Sequence, residues 1–146
     1  MIRLLMEDDF EALHLFLKAT KGINLSNLEL NPTVIRQELY CSNREFIGAI
    51  TEGVLRSLII LSKRFDRTCS YYLDFYFFEN QSFEKDIFTF LKNKPNLIHD
   101  YSKIRAITPY DSSISDPLKR NGMIREYLDY VFNREFLVLD FEGKEK

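Results

Sequence analysis

The sequence predicts a single α+β domain over residues 1–146, with three layers and a mixed, mostly antiparallel central sheet of about six to seven strands flanked by about four helices. Three observations predict this class. The 146 residues are 45% hydrophobic, which is enough for one core. Segments with the period of a strand alternate with segments of helical period. Short turn signals separate several of them, so neighbouring strands are expected to pair antiparallel.

The N-terminal residues predict a strand followed by a helix. Ile2 to Leu5 form a short apolar run, and the acids of Glu7 to Asp9 then favour a helix start. Apolar residues recur at helical spacing at Phe10, Leu13, Phe16 and Leu17. The helix is expected to end near Lys18 and Gly22. Residues Ile23 to Leu30 are expected to form a polar connection.

A second helix and a hairpin follow. Asn31 and Pro32 form an N-cap and first-turn pair, so a short helix is expected to run to about Cys41. The β-prone runs Glu45 to Thr51 and Val54 to Ser62 flank Glu52-Gly53, a dipeptide suited to a tight hairpin. A basic turn, SKRFDR, leads out of the second run.

The next strand, Thr68 to Phe78, is nearly apolar on both faces and is therefore predicted to be central. Strict alternation places two sets of side chains on opposite faces: Cys69, Tyr71, Leu73, Phe75 and Phe77 on one, and Tyr72, Asp74, Tyr76 and Phe78 on the other. Ser82 is predicted to cap the following helix, which Lys94-Pro95 closes.

The C-terminal part predicts a strand, a brief helix and a closing hairpin. In order, these are a strand from Ile104 to Thr108, a helix opened by Asp116-Pro117 and ended by Asn121-Gly122, and strands Met123 to Phe132 and Phe136 to Phe141 joined at Asn133-Arg134.

Composition excludes several classes of function. A net charge of -2 gives no overall field for nucleic acid or an anionic membrane, so neither partner is expected. The apolar runs are too short for a signal peptide or a bilayer span, which predicts a cytoplasmic protein. Cys41 and Cys69 are expected to be reduced and structural. His14 and His99 have no ligand cluster around them, so no metal site is predicted.

The order of elements resembles that of the GNAT superfamily of acyl-CoA-dependent N-acyltransferases. The opening IRLLMEDDFEAL is similar to the family's IR-x-x-x-x-x-D-hydrophobic start, and LKRNGMIREY resembles its (Y/L)-x-x-x-G-F-x-x-E stretch. The resemblance covers essentially the whole chain. It implies a cleft between the strand ending at Phe78 and the strand ending at Thr108, whose free backbone groups would bind a pantetheine arm like an added strand.

The resemblance also identifies where the sequence departs from the family. The family's pyrophosphate turn, (R/Q)-x-x-G-x-(G/A), brings backbone amides close to the phosphates, but this chain has Glu79-Asn80-Gln81-Ser82 there. The Tyr that often acts as general acid is replaced by Leu118, which cannot donate a proton. Met123 replaces the usual Phe.

Asp74 is the candidate catalytic residue, because a carboxylate within a central strand either faces a cleft or pairs with an Arg or Tyr across the sheet. The resemblance implies a cofactor-binding set of Phe77, Phe78, Asn80, Gln81 and Ser82. Asp111 and Ser112 could line the same cleft or cap a loop. Lys63, Arg64 and Arg67 could bind an anion or solvate a hairpin end.

The leading hypothesis is a GNAT-fold protein with a degraded acyl-CoA site, a non-catalytic or weakly active binding or structural module without a cofactor. The alternative is an active N-acetyltransferase that uses acetyl-CoA or another acyl-CoA by direct attack of an amine. A third reading is a small-molecule or peptide binder using the same cleft. A protein partner or a homo-oligomer is expected through exposed aromatics, with Tyr76 and Phe78 nearest the cleft.

Overall fold

The structure, a computed structural model, describes residues 1–40, 44–64, 70–93 and 103–140, which form one eight-stranded sheet and four α-helices. The strands are β1 (Ile2–Leu4), β2 (Ile23–Asn24), β3 (Arg44–Thr51), β4 (Val54–Arg64), β5 (Ser70–Phe77), β6 (Lys103–Pro109), β7 (Ile124–Asp129) and β8 (Arg134–Asp140). The helices are α1 (Phe10–Ala19), α2 (Pro32–Tyr40), α3 (Gln81–Asn93) and α4 (Asp116–Arg120). The predicted fold class is confirmed.

The sheet runs in the order β1-β3-β4-β5-β6-β8-β7, and β2 adds to β5 outside this path. Its pairs are antiparallel except for β5 and β6, which are parallel. One core cluster packs α3 and α4 on one face, and a second packs α1 and α2 on the other, which gives three layers. In the described part of the chain, no helix is both long and apolar enough to cross a membrane.

Local signals in the sequence gave several elements correctly. The Oδ1 of Asn31 accepts a hydrogen bond from the Val34 amide at 2.9 Å, which is the predicted cap of α2. Glu52 and Gly53 have φ of 52° and 77°, the left-handed pair that a type I′ hairpin requires. The brief helix α4 also begins at Asp116, as predicted.

Two predicted strand ends are wrong. β4 continues to Arg64, so Lys63 and Arg64 lie in a strand instead of a turn, opposite Tyr71 and Ser70 of β5. β7 stops at Asp129 instead of reaching Phe132. The Oδ1 of Asp129 accepts hydrogen bonds from the amides of residues 131 and 132, and this side-chain turn ends the strand early.

The predicted alternation of side chains along β5 is also wrong beyond Asp74. Ile60 pairs with Phe75 while the next residue, Leu61, pairs with Leu73, so Asp74 is the extra residue of a β-bulge. The side chains after the bulge therefore lie on the opposite sheet faces from those predicted. Phe75 therefore packs in the cluster with α1 and α2, whereas Tyr76 packs with α3 and α4.

Some predictions fall outside the described residues. These are the roles of Cys41, Cys69, Arg67 and His99, the start of the central strand at Thr68, the helix end at Lys94-Pro95 and the strand end at Phe141.

Candidate ligand-binding cleft

β5 and β6 diverge, as the family resemblance implied. They pair only at their first residues, Tyr71 with Ile104 and Tyr72 with Arg105, although β5 continues to Phe77 and β6 to Pro109. On its other edge, β5 pairs with β4 along its length. The divergence leaves the second edge of β5 unpaired by β6 beyond Tyr72, and a cleft forms there.

The chain's own strand β2 occupies this edge of β5. Ile23 pairs antiparallel with Tyr76 and Asn24 with Phe75, and the Leu25 amide donates to the Asp74 carbonyl at 2.7 Å. The prediction of a polar connection over Ile23 to Leu30 is therefore wrong in its first residues. Ile23 and Leu25 also pack against the core cluster of α3 and α4, so side chains reinforce the backbone pairing.

Gly22 and Asn24 hold β2 in place from either end. A Cβ at Gly22 would lie 2.1 Å from Cζ of the buried Phe75 ring, so only glycine passes this close. The Nδ2 of Asn24 donates to the Leu28 carbonyl at 2.8 Å, and its Oδ1 accepts from the amides of Ser26 and Leu28. No periodic pattern in the sequence indicates β2, because a strand of two residues is determined by the strand edge that it covers.

Asp74 is fully buried at the bulge and is paired with cations. Its Oδ2 lies 3.1 Å from Arg44 Nε, and its Oδ1 lies 3.6 Å from Arg64 Nη2. Arg44 also contacts Glu38 at 3.1 Å, so a chain of alternating charges runs from α2 to β5. Asp74 therefore pairs with arginine, which was one of the two predicted alternatives. A role for Asp74 as a base stays a prediction.

Tyr76 closes the cleft on the face of α3 and α4. It is 4% exposed, and its hydroxyl donates to the carbonyl of Ile114, beyond the end of β6. Burial raises the pKa of Tyr76 to about 12. Its ring stacks on that of Phe78, with the two centroids 5.5 Å apart, and the centroid of Phe78 lies 6.0 Å from that of Phe88 in α3. The Tyr76 side chain therefore fills part of the cleft and offers almost no surface to a partner.

The N-terminus of α3 is capped by the protein itself. Asn80 Oδ1 accepts from the Phe83 amide at 2.8 Å, and the Asn80 carbonyl accepts from the Glu84 amide at 3.1 Å. The cap is Asn80, so the prediction of Ser82 is wrong, because the helix begins at Gln81, two residues before the start that a Ser82 cap implies. The amide of Glu79 donates to Ser57 Oγ at 2.8 Å.

A groove of about 460 Å³ separates α3 from α4, and Glu84 bridges it. Both Glu84 carboxylate oxygens lie 2.7 Å from Arg120, and Oε2 also accepts from Asn121 at 2.9 Å. Hydrogen bonds from Arg120 hold the pKa of the buried Glu84 carboxyl below its usual range. Nearby, Leu118 is fully buried, as a core residue would be.

The remaining candidates lie apart from the cleft or serve local structure. The His14 ring stacks on the Phe10 ring within α1, with the two centroids 5.7 Å apart. The Oγ of Ser112 accepts from the Ile114 amide and caps a short 3-10 turn, and Asp111 has a φ of 56° in the loop before it. Across the described ranges, His, Cys, Asp and Glu do not form a group of three that could hold a metal.

Comparisons with known proteins find similarity in structure alone. No protein-family model matches the sequence, and no curated protein matches it either. Among solved structures, an N-acetyltransferase from Staphylococcus aureus Mu50 has a TM-score of 0.72 at 13% identity, covering 97% of each chain. A ribosomal-protein-alanine N-acetyltransferase from Brucella melitensis has a TM-score of 0.71 at 16% identity, covering 96% of this chain and 99% of its own. A dodecameric spermidine N-acetyltransferase from Vibrio cholerae has a TM-score of 0.65 at 8% identity, covering 99% of this chain and 95% of its own.

Proposed function

We propose that this chain, which has the fold of the GNAT N-acetyltransferases, is a non-catalytic or weakly active binding module whose acyl-carrier cleft is filled by its own residues. The observation that carries this proposal is β2 on the diverging edge of β5. A pantetheine arm would need the backbone groups of that edge, and the Asp74 carbonyl is bonded to the Leu25 amide instead.

The phosphate end of the cleft supports the same proposal. At the N-terminus of α3, the amides of Phe83 and Glu84 are bonded to Asn80, which leaves those of Gln81 and Ser82 to face an anion. Glu79 and Glu84 flank these two residues in the sequence, and their carboxylates pair with Arg56 and Arg120, so these two arginines are already engaged within the protein. Phe77 and Phe78 pack against the two core clusters. These features support the proposal that the site does not bind acyl-CoA.

Calorimetric titration with acetyl-CoA tests this proposal. We expect no saturable heat up to about 1 mM ligand, and a low-micromolar isotherm with the wild-type protein would overturn the proposal. An Asn24→Ala variant removes the side-chain hydrogen bonds that hold the turn after β2, and it tests which part of the cleft prevents binding. Binding in the variant alone would identify β2 as the block, whereas binding in neither protein would identify the phosphate end. Circular dichroism should confirm that the variant is folded.

An active N-acetyltransferase is the alternative, favoured by the divergence of β5 from β6 and the bulge at Asp74. In that case the amides of Asn80, Gln81 and Ser82 would have to reach the phosphates despite their side chains. The acceptors named for the similar structures differ, spermidine in one and a ribosomal-protein alanine in another, so the fold does not select an amine. Thiol release from acetyl-CoA with a panel of amines tests this alternative, and Asp74→Asn should lower turnover at neutral pH if Asp74 is the base.

A second copy of this chain is the proposed partner, bound through the β7–β8 hairpin. Among the described strands β7 ends the sheet order, and it exposes Ile124 and Tyr127 beside an exposed tip at residues 130–132. Antiparallel pairing of two β7 strands would bring the exposed apolar side chains of the two hairpins together. The dodecameric relative supports assembly in this fold.

Light scattering coupled to size-exclusion chromatography tests the assembly. A dimer is expected for the wild type and a monomer for Tyr127→Glu. Leu15→Glu is a matched control, because Leu15 is equally exposed but lies on α1. A wild-type monomer at high protein concentration would refute the interface.

A further inference from the structure

The connection between α1 and α2 reaches through the sheet and back. Both helices pack in the core cluster on one face of the sheet, and so does Leu28, near the end of the connection. Ile23 and Leu25 pack instead against the core cluster of α3 and α4, on the opposite face. β2 therefore fills the opening between β5 and β6 like a plug.

The rest of the sheet does not depend on this plug. β5 is paired with β4 along its length and with β6 at its first residues, without any contribution from β2. β2 also lies outside the path that orders the other seven described strands. Its release from β5 would therefore leave β4, β5 and β6 joined in one sheet.

Few groups hold the plug closed. β2 is two residues long, and the side chains of Ile23 and Leu25 are only partly buried. The turn that follows is held by the Asn24 side chain, which bonds to the backbone of Ser26 and Leu28. Segments with few buried contacts open at a low free-energy cost while the rest of a protein stays folded.

Two fixed points bound the segment that can open. Gly22 lies against the buried ring of Phe75, and Leu28 is 8% exposed in the core with α1 and α2. Between them, Asn27 has a φ of 56°, a left-handed conformation that asparagine adopts more readily than most residues. Movement of residues 23–27 between these two points leaves both helices in place.

We infer that β2 is a regulatory plug, which opens and closes over residues 23–27 while β4, β5 and β6 stay folded. The closed form fills the edge of β5, and the open form frees the backbone of Asp74 and Tyr76 for an extended, amide-containing ligand. The apparent affinity of such a ligand falls with the fraction of open protein. This inference rests on the proposed function and deepens it, because it names what controls access to the same cleft.

Amide hydrogen exchange of the wild-type protein, followed by NMR without any ligand, tests the inference. The Leu25 amide donates to the Asp74 carbonyl. Because backbone groups alternate in direction along a strand, the Tyr76 amide points to β2 and the Phe75 amide points to β4. After correction for intrinsic rates, we expect Leu25 and Tyr76 to exchange at least about 100-fold faster than Phe75, and with a weaker dependence on urea.

Two asparagine variants separate opening of the plug from unfolding of the domain. Asn24→Ala removes the bonds of the turn after β2, so the exchange of Leu25 and Tyr76 should rise about fivefold or more. Asn31→Ala removes the cap of α2, a helix that stays folded while the plug is open. It should speed the exchange of Phe75 about fivefold and leave Leu25 and Tyr76 unchanged.

Three outcomes would overturn the inference. Equal exchange rates for the three amides in the wild type, or equal acceleration of all three by Asn31→Ala, would mean that β2 opens only when the domain unfolds. Exchange of the Leu25 amide at its intrinsic rate would mean that the closed plug is not populated. Binding of acetyl-CoA to the wild type would overturn the proposed function but not these rates, which are measured without ligand, so the two failures are distinguishable.

Discussion

Substitution of Gly22 by alanine is expected to loosen β2 from β5. The new methyl group would lie 2.1 Å from Cζ and 2.6 Å from Cε2 of Phe75, far inside van der Waals contact. Phe75 is 1% exposed, so its ring cannot swing into solvent without leaving the core. Overpacking of this kind costs about 1–3 kcal/mol.

An opposing effect has to be subtracted from that cost. Alanine lowers the conformational entropy of the unfolded chain and so stabilises the folded protein by about 0.4–1 kcal/mol relative to glycine. The net loss therefore ranges from near zero to about 2.6 kcal/mol, which corresponds to a fall of up to about 10 °C in melting temperature for a domain of this size. The clash is larger than the entropic gain, so the sign is destabilising.

Urea unfolding and amide hydrogen exchange measure this effect. The Leu25 amide, bonded to the Asp74 carbonyl at 2.7 Å, should exchange faster in Gly22→Ala. Phe75→Leu removes the ring atoms that the methyl group meets, so in that background Gly22→Ala should cost nothing or stabilise slightly. If Gly22→Ala costs the same in both backgrounds, or stabilises the wild type, the steric argument is wrong.

Three further predictions concern the ends of the same cleft. Asn80→Ala should destabilise by about 1 kcal/mol and Ser82→Ala by less than about 0.5 kcal/mol in urea unfolding, because Asn80 caps α3; equal losses would contradict this cap. Tyr76, with its pKa raised to about 12, should contribute stability that is fully present below pH 10 and lost as pH rises through 12. In Tyr76→Phe the free energy of unfolding should fall less over this alkaline range, and an unchanged pH profile would contradict the prediction. Glu84, whose pKa is lowered by its hydrogen bonds from Arg120, should contribute stability that is present above its unfolded pKa and is lost as pH falls through its folded pKa. Glu84→Gln should reduce this acid sensitivity, and an identical acid transition would count against the bridge to Arg120.

The sequence predicted those elements whose cause is local. The cap at Asn31 and the turn at Glu52-Gly53 follow from the conformational preferences of one or two residues. The central position of β5 follows from its apolar side chains on both faces. These features need no knowledge of distant partners, so they are readable from the order of residues.

The missed features depend on contacts between distant residues. β2 is two residues long and exists because β6 leaves the edge of β5 open, so no periodicity in residues 23–24 could predict it. The bulge at Asp74 is a mismatch between β4 and β5, and it reversed every facing predicted after it. At the candidate site, the departure from the family's phosphate turn was readable from the sequence, but the filling of the cleft by β2 was not.

The short strand β2 also bears on the solubility of the chain. It covers the backbone from Asp74 to Tyr76, the middle of an aromatic segment, Leu73 to Phe78, whose only charge is the buried Asp74. A bare edge with this composition would template the addition of strands from other molecules, which is how cross-β aggregates grow. Removal of β2 would therefore open an aromatic strand edge to such additions. Selection for solubility alone would be enough to retain Gly22 and Asn24.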